Sequence, residues 1–412
     1  MLGIETTPGA TMSMTDMTQL DPLEPLGDVR PDEAALAELT QSATGDAGAV
    51  PLTAFAEPVD YPVGTPTTAA LVRLKGTARL TGGDVTEWSV FVKRLQSAKH
   101  WAYLHFVPEP ERIEFINAIP WRLEIAAQRS DLPRLLPDGM RLPAAYRIEE
   151  GEDERATIWM EDVAQSELPW DLDRFTRAAI LLGRLSARRQ LGLVEPLLPR
   201  PGVTTPGIGL RYYYQGRVVL GTLPALADDD TWRHPLLSLA ICHNRAHTLR
   251  HDLLELAERV PAVLDALDRL PQTYQHGDAS PQNLLVPAAA PEQFVVIDWG
   301  FDCPQAVGFD LGQLLIGLGH AGVMEPEALR DVHRVIVDAF TEGLNAEGMT
   351  ADIDQVRLGY LGSLLARATF TALPLELLGA PQTDELADLF SQRVRLTQLL
   401  VELMRELDLT SA

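Results

Sequence analysis

The chain has 412 residues, of which 46% are hydrophobic and 22% are charged, as expected for a globular protein of about two domains with a full core. Its net charge of −24 argues against nucleic acid and against a membrane surface as partners. No apolar run approaches the ~18–20 residues of a spanning helix. Because neither a signal peptide nor a disulfide framework is predicted, we expect a cytoplasmic protein, and the sequence leaves its oligomeric state open.

The N-terminal part predicts a tail, a helix and a small set of strands. Residues 1–30 lack hydrophobic periodicity and are rich in Thr, Met, Asp and Pro, so we expect a disordered acidic tail. Pro31 and the two acidic residues after it open a short helix that ends near Gln41. Strands are predicted at Leu52–Val59, Leu71–Leu74 and Trp88–Leu95, with a Gly-Gly-Asp turn before the last of them.

Lys93 is unusual within the third of these strands. The chain has 34 basic residues, and three of them are Lys: Lys75, Lys93 and Lys99. Because Arg is the default cation here, a Lys inside a largely apolar strand suggests a need for a compact ammonium group. The alternative is a Lys on an edge strand whose head group reaches water.

The rest of the chain is predicted to be largely helical. A helix over Trp121–Arg129 carries Glu124 among apolar neighbours, and Glu114 is an acid shortly before that helix. Asp171 is a predicted N-cap for the helix that follows it. The further predicted elements are a strand at Ala156–Met160 and helices at Pro169–Arg189, Leu253–Leu270, Pro326–Gly343, Asp352–Leu373 and Asp384–Leu407.

Two polar turns joined by a hairpin carry the strongest functional signal. Short apolar strands are predicted at Leu284–Val286 and Phe294–Ile297, and a Pro- and Ala-rich turn connects them. An antiparallel pairing brings Asn283 and Asp298 to one end of the hairpin, with Asp278 in the loop that leads into it. Two of these side chains can hold a hard cation such as Mg²⁺ through oxygen. The third is free to accept a proton.

The combination of His-Gly-Asp-x-x-x-x-Asn with Ile-Asp-Trp resembles the catalytic loop and metal-binding turn of the aminoglycoside phosphotransferase and choline kinase superfamily. Protein kinases carry His-Arg-Asp and Asp-Phe-Gly at these places. Here Gly277 replaces the Arg, and no Ala-Pro-Glu follows Gly300. The resemblance therefore implies a small-molecule kinase on a bilobal α+β, protein-kinase-like fold. It implies a small antiparallel-sheet lobe for nucleotide over residues 31–162, and a larger, mostly helical lobe for catalysis and the acceptor over residues 163–412.

The resemblance also assigns nucleotide-binding roles in the N-terminal lobe. Lys93 would hold the α- and β-phosphates, with Glu124 as its partner and Glu114 as the alternative. The backbone near Met160 and Asp162 would contact the adenine edge. A loop would cover the phosphates, although it contains a single Gly and a plain surface turn is the alternative; its residues are Gly64, Thr65, Thr67 and Thr68.

In the C-terminal lobe, the resemblance implies that Asp278 accepts the proton of the attacking hydroxyl. Asn283 and Asp298 would hold Mg²⁺ against the phosphates of ATP. His276 is interpreted as a brace of the loop, and Trp299 as packing behind the metal turn. Asp310 is a helix N-cap on local rules and, by resemblance, a second brace of the loop.

The predicted function is an ATP-dependent transfer of the γ-phosphate to a hydroxyl group of a small molecule. Residues 161–412 hold 34 acids and 20 bases, which either favours a cationic acceptor or serves solubility alone. The alternative is a catalytically silent protein on the same fold that binds a nucleotide or another ligand. Such a protein is expected to have lost one of the predicted site residues, and all of them are present.

Overall fold

The computed structural model describes residues 21–61, 64–199 and 204–409. The chain divides into two compact units. The first comprises the described residues up to Gln96 together with Ala144–Asp162, and the second comprises Ser97–Pro143 together with the described residues from Val163 onward. Residues 97–143, which the sequence analysis placed in the N-terminal lobe, thus cluster with the second unit.

Strands and helices are distributed unevenly between the two units. The strands are β1 Val50–Pro58, β2 Thr68–Arg79, β3 Val85–Gln96, β4 Met140–Arg141, β5 Ala145–Glu150, β6 Arg155–Glu161, β7 Gln272–Gln275, β8 Leu284–Leu285, β9 Phe294–Val296 and β10 Cys303–Ala306. The α-helices are α1 Glu33–Thr44, α2 Arg112–Ala118, α3 Leu123–Arg129, α4 Leu132–Leu135, α5 Leu172–Arg188, α6 Ile208–Tyr213, α7 Leu223–Ala227, α8 Asp229–Arg233, α9 Pro235–His243, α10 Leu249–Leu267, α11 Leu311–His320, α12 Leu329–Ala346, α13 Ile353–Leu364 and α14 Asp384–Leu403. Two π-helical segments, Tyr214–Thr222 and Leu365–Thr369, follow α6 and α13.

The first unit is built on a five-stranded antiparallel sheet. Its strand order is β1-β2-β3-β6-β5, so β3 lies in the middle. The strand predicted at Leu71–Leu74 is longer than expected because the alternation of buried and exposed residues continues to Arg79. Helix α1 begins where the Asp32 side chain accepts a hydrogen bond from Ala35 N at 2.8 Å, and Leu39 and Leu74 belong to the same apolar core.

The prediction of a disordered tail over residues 1–30 was wrong for its last part. Residues Glu24–Val29 form a 3₁₀ helix, and Leu26 is fully buried in the core of the first unit. Two leucines among prolines and acids carry no periodicity, so the pattern missed them, although their burial is enough to order a short segment. Residues 1–20 lie outside the described part of the chain.

The second unit is mainly helical. Asp171 caps α5 by accepting a hydrogen bond from Arg174 N at 2.9 Å, which confirms the predicted N-cap. At the other end of α5, Arg189 donates to Asp302 Oδ1 at 2.7 Å and to the carbonyl oxygen of Tyr274 at 3.3 Å. This buried ion pair fastens α5 to the segments that flank the two polar turns. Among the described helices, none has the length and apolar composition needed to cross a membrane.

The predicted hairpin is present in the second unit. Strands β8 and β9 pair antiparallel, with Leu284 opposite Val296, and β4 adds to β9 in parallel. Strands β7 and β10 form a separate antiparallel pair next to the first polar turn. An antiparallel sheet in one unit and a mostly helical second unit confirm the predicted α+β fold class.

Candidate active site

The two predicted motifs meet at the end of the β8–β9 hairpin. Ile297 N donates to the carbonyl oxygen of Asn283 at 3.0 Å, so the ladder continues one step beyond the strands and places Asp298 beside the start of β8. The loop that leads into β8 contains Asp278, whose carbonyl oxygen accepts from Ser280 N at 2.7 Å. The structure therefore brings the predicted catalytic loop and metal turn together.

Asp278 is held by side chains on both of its carboxylate oxygens. Asn283 Nδ2 donates to Asp278 Oδ2 at 3.1 Å and to its carbonyl oxygen at 2.8 Å. Arg367 Nη2 donates to Asp278 Oδ1 at 3.0 Å, and Nη1 donates to the carbonyl oxygen of Gly277. The Asp278 side chain remains 22% exposed, so the carboxylate is fixed in direction and still reachable.

The loop around Asp278 is braced from below by buried groups. Asp310 Oδ2 accepts from His276 N at 2.9 Å, and Oδ1 accepts from Gly277 N at 2.8 Å. His276 Nε2 lies 2.8 Å from the carbonyl oxygen of Ile297, and its Nδ1 accepts from Asp278 N at 3.2 Å. His276 thus joins the catalytic loop to the metal turn, which is the bracing role predicted for it.

Asp310 performs the brace that the resemblance implied and not the cap that local rules predicted. Its side chain makes no capping hydrogen bond to α11 because both oxygens are used by the loop. Burial raises the pKa of Asp310, and the charge of His276 and the two backbone N–H donors oppose this shift. The loop is therefore held by a carboxylate that the fold has removed from water.

Gly277 replaces the Arg of the protein-kinase motif for a local steric reason. Its φ is +83°, and a Cβ atom built on it would stand 2.3 Å from the carbonyl oxygen of Phe301. A side chain at this position would require the loop to move away from the turn that follows Asp298. The close approach of the catalytic loop to the turn after Asp298 therefore requires Gly at position 277.

Asn283 and Asp298 have the chemistry required of a magnesium site. Because the Asn283 amide nitrogen donates to Asp278, its Oδ1 is the atom left to act as a ligand. Asp298 adopts φ 62° and ψ 58°, a left-handed conformation that is uncommon outside Gly, at the point where β9 ends. A carboxylate and an amide at the same end of the β8–β9 hairpin fit a hard cation, because such a cation prefers oxygen ligands.

The acid on α3 lies close to the metal turn. A methyl group placed at Gly300 would be 3.7 Å from Asp298 Oδ1 and 3.9 Å from Glu124 Oε1. Glu124 is half-buried, whereas Glu114 on α2 is exposed. This favours Glu124 over Glu114 as the functional acid, while its pairing with Lys93 stays a prediction.

Lys93 lies on the central strand of the first unit. It is 9% exposed and pairs with Leu71 on β2 and with Ile158 on β6. An edge-strand Lys whose head group reaches water is therefore excluded. A buried ammonium in the middle of a sheet is costly unless it is paired, and the role of Lys93 toward the nucleotide stays a prediction.

The other nucleotide-binding residues predicted in the first unit have defined local settings. Thr68 is the first residue of β2, and the Thr67 carbonyl oxygen accepts from Gln96 N at 2.9 Å, so the end of the loop Gly64–Thr68 is tied to β3. Met160 is buried on β6. Asp162 accepts from Arg73 Nε at 2.7 Å and from the Ser89 hydroxyl, so its side chain is occupied within the unit. A role for this segment would fall to its backbone.

Two residues clarify what the sequence could and could not show. Trp299 is 2% exposed, its ring lies 4.6 Å from that of His276, and its Nε1 donates to the carbonyl oxygen of Val296. It packs behind the metal turn, as predicted. Arg367 was missed because it lies 89 residues after Asp278 in a π-helical segment and belongs to no local motif.

Arg367 is held in place by aromatic rings. Its guanidinium carbon lies 5.3 Å from the ring centre of Phe301, 5.5 Å from that of Tyr213 and 6.0 Å from that of Phe309. Its side chain is 12% exposed. Cation–π contacts and burial hold this planar group in one orientation, and its two donors reach the backbone and the carboxylate of the loop.

A braced carboxylate next to an Asn and an Asp at a hairpin end is the arrangement used in phosphoryl transfer by kinases. Residues 218–335 match the model of the phosphotransferase enzyme family, and this segment contains Asp278, Asn283, Asp298 and Asp310. The resemblance predicted from the two motifs is thus confirmed. The match supports a small-molecule phosphotransferase as the class of activity.

Several solved structures are similar to this chain at low identity. An aminoglycoside phosphotransferase from Streptomyces rimosus is 17% identical, with 82% of this chain and 99% of that chain covered and a TM-score of 0.38. An aminoglycoside phosphotransferase from Alicyclobacillus acidocaldarius is 14% identical, with coverages of 93% and 99% and a TM-score of 0.47. An amicoumacin kinase, solved with AMP-PNP and Ca²⁺, is 11% identical, with coverages of 83% and 87% and a TM-score of 0.41. These similarities do not decide the function. Among curated proteins, no significant match was found.

Proposed function

We propose that the protein is an ATP-dependent phosphotransferase that moves the γ-phosphate to a hydroxyl group of a small molecule. The observation that carries the proposal is the carboxylate of Asp278, which lies in the segment that matches the family and is fixed by Asn283 and by Arg367. A structural hairpin would have no need of a directed and partly exposed carboxylate. The alternative, a silent binding protein on the same fold, is an outcome of the tests below.

In this proposal Asp278 accepts the proton of the acceptor hydroxyl as the oxygen attacks. Asn283 and Asp298 would hold Mg²⁺, which would neutralise charge on the phosphates of ATP. Phosphoryl transfer depends mainly on in-line positioning and on positive charge near the phosphates. The braces from Asp310 and His276 keep the base in position before the substrate arrives.

The nucleotide would be bound by the residues predicted for it from the sequence. Lys93 would orient the α- and β-phosphates, with Glu124 as its partner. The segment from Gly64 to Thr68 would supply backbone N–H groups and hydroxyl groups to the phosphates, as its three Thr residues allow. The backbone between Met160 and Asp162 would bind the adenine edge.

Thermal stabilisation by Mg-ATP tests nucleotide binding. At a concentration about 100-fold above Kd, a ligand of the native state stabilises it by about 2.7 kcal/mol, which raises the melting temperature by several degrees. Lys93→Ala should remove most of this increase. Lys75→Ala is the matched control because Lys75 lies on β2 and its partner is the partly exposed Glu57. An increase of equal size in both variants would remove Lys93 from the site.

Acceptor-dependent release of ADP tests the activity itself. The panel should contain aminoglycosides, macrolides, choline, sugars and homoserine, so that cationic and uncharged hydroxyl acceptors are both represented. Release of ADP that depends on one class of acceptor supports the proposal. Stabilisation by Mg-ATP with no acceptor-dependent release across the panel would favour the silent binding protein.

A further inference from the structure

The second unit contains a cavity with a volume of about 170 Å³. One wall comes from the first π-helical segment and the residue before it, and the facing wall comes from the chain after the second π-helical segment and from α14. The lining residues that matter here are Tyr213, Arg217, Thr222, Thr371, Glu376 and Arg393. At ~30 Å³ per water molecule the volume equals about five or six waters, which is enough for one small polar group.

Arg393 is a buried cation whose hydrogen bonds within the described chain go to backbone carbonyl oxygens. The residue is 9% exposed, and it donates to the carbonyl oxygens of Ala372, at 3.3 Å, and of His320. Its Nε has no hydrogen-bond partner among the described residues, and no salt bridge between Arg393 and a described carboxylate accompanies it. Burial lowers the pKa of Arg393, because removal from water disfavours the charged form, and the charge of Glu376 opposes this shift. Buried charges are normally paired at short range, so an anion in the cavity would supply a partner that the exposed Glu376 does not.

Arg217 brings a second guanidinium group to the same cavity. It is exposed, and within the described chain its guanidinium group makes no hydrogen bond or ion pair; its carbonyl oxygen accepts from the Thr222 hydroxyl. Glu376 is the single acid among the described lining residues, and it is exposed and forms no ion pair with either Arg. In a chain with 58 acids and 34 basic residues, two Arg without carboxylate partners around one cavity are unexpected.

The cavity is next to the proposed base. The Tyr213 ring, which lines the cavity, lies 5.5 Å from the guanidinium carbon of Arg367. Arg367 Nη2 in turn lies 3.0 Å from Asp278 Oδ1. Tyr213 and Arg367 therefore connect the cavity wall to the catalytic carboxylate through two successive side-chain contacts.

We propose that this cavity binds an anionic group, a carboxylate or a phosphate, of the molecule that receives the phosphoryl group. The proposal rests on the proposed function for the identity of that molecule, and on the cavity alone for its charge. Two guanidinium groups supply charge-assisted donors to such a group. A cationic group would meet two like charges in this cavity. The excess of acids in the C-terminal part of the chain therefore does not decide the charge of the acceptor group that binds there.

Binding of inorganic phosphate and of acetate, measured by calorimetry on the full chain at low ionic strength, tests the charge of the cavity. We expect weak binding of at least one of them in the millimolar range, and the comparison of the two anions distinguishes a phosphate from a carboxylate. Arg217→Ala should weaken it about tenfold or more, since a hydrogen bond to a charged group contributes ~1.5–3 kcal/mol. Glu376→Gln should leave the affinity unchanged or increase it.

Two variants locate the bound anion. Arg405→Ala removes the same charge from an exposed position of the second unit outside the cavity lining, and it should not weaken anion binding. Lys93→Ala removes the proposed phosphate contact of the first unit and therefore reports any phosphate that binds there. No binding to the wild-type chain, or binding that Arg217→Ala leaves unchanged, would overturn the proposal. Arg393→Met is a second variant, but Arg217→Ala keeps the test decisive if that protein fails to fold.

Paired acceptors separate this proposal from the proposed function. The panel should include hydroxy acids together with their amides, and phosphate monoesters together with the parent alcohols. A lower KM for the anionic member that Arg217→Ala abolishes supports the subsite. Turnover with no such preference would reject the subsite and retain the kinase. Binding of phosphate or acetate without any turnover would retain the subsite and reject the kinase.

Discussion

The arrangement around Arg367 yields the sharpest prediction about the site. Arg367→Met keeps most of the side-chain volume and the packing between Tyr213, Phe301 and Phe309, but it removes both donors to the loop. The bond to Asp278 Oδ1 at 3.0 Å then has no replacement, because the side chain is 12% exposed and bulk water reaches it poorly. The base should lose its fixed direction.

The magnitude follows from the kind of bond that is lost. A hydrogen bond to a charged group contributes about 1.5–3 kcal/mol, and about 2 kcal/mol lost from the transition state corresponds to a roughly 30-fold lower kcat. The KM for Mg-ATP should stay near the wild-type value, because Arg367 contacts none of the residues proposed for the nucleotide. The kcat of Arg367→Lys should lie between those of the wild type and Arg367→Met. A Lys keeps the positive charge, but its ammonium group cannot donate to the Asp278 carboxylate and the Gly277 carbonyl oxygen with the planar geometry of a guanidinium group.

Steady-state kinetics of ADP release with an acceptor from the panel provide the assay. Arg357→Met is the matched control, because Arg357 lies on the preceding helix α13 and its partner is the exposed Asp354. It should turn over like the wild type. If Arg367→Met is folded and its kcat equals that of the control, Arg367 does not position the base.

Three further predictions concern the loop and the stability of the second unit. Gly277→Ala should destabilise the protein by about 1–3 kcal/mol in chemical denaturation and lower turnover, because a Cβ would stand 2.3 Å from the Phe301 carbonyl oxygen; an unchanged midpoint would contradict the close approach. Asp310→Asn should lower kcat at least about tenfold, since an amide can accept only one of the two loop N–H bonds through oxygen, whereas full activity would show that the brace is dispensable. The hydrogen bond from Arg188, and then that from Arg184, holds the pKa of Glu347 below its usual range. The contribution of the Glu347 carboxylate to stability is therefore present above pH 4.5, and it is lost as the pH falls through the lowered pKa. Glu347→Gln should therefore cost about 1–2 kcal/mol at pH 7, and this cost should shrink as the pH is lowered below 4.5; a cost that stays constant throughout acid titration would refute this assignment.

The catalytic loop and the metal turn could be predicted from the sequence because their chemistry is local. Asp278 and Asn283 lie within six residues of each other, and a two-strand pattern is enough to bring Asp298 to them. The same holds for the cap at Asp171, which depends on the three residues after it.

Features that depend on tertiary contacts were missed. Local rules expected the side chain of Asp310 to cap its own helix, and only the resemblance implied the brace; the loop 33 residues earlier offers two N–H donors and takes both oxygens. Arg367 and Arg393 lie in helical segments, where an Arg is common and gives no functional signal. Only the fold brings Arg367 to Asp278 and Arg393 to the wall of the cavity. Leu26 is similar, because a single buried Leu has no periodicity to reveal it.

The central claim is that Asp278 is the base of a phosphoryl transfer, and Asp278→Asn tests it most directly. Mg-ATP binding by calorimetry and acceptor-dependent ADP release should be measured on this variant and on Asp331→Asn, an exposed control in the same unit. The account predicts that both variants bind Mg-ATP like the wild type, and that turnover falls by about 10²–10⁴-fold in Asp278→Asn alone. Turnover near the wild-type rate in Asp278→Asn would contradict it.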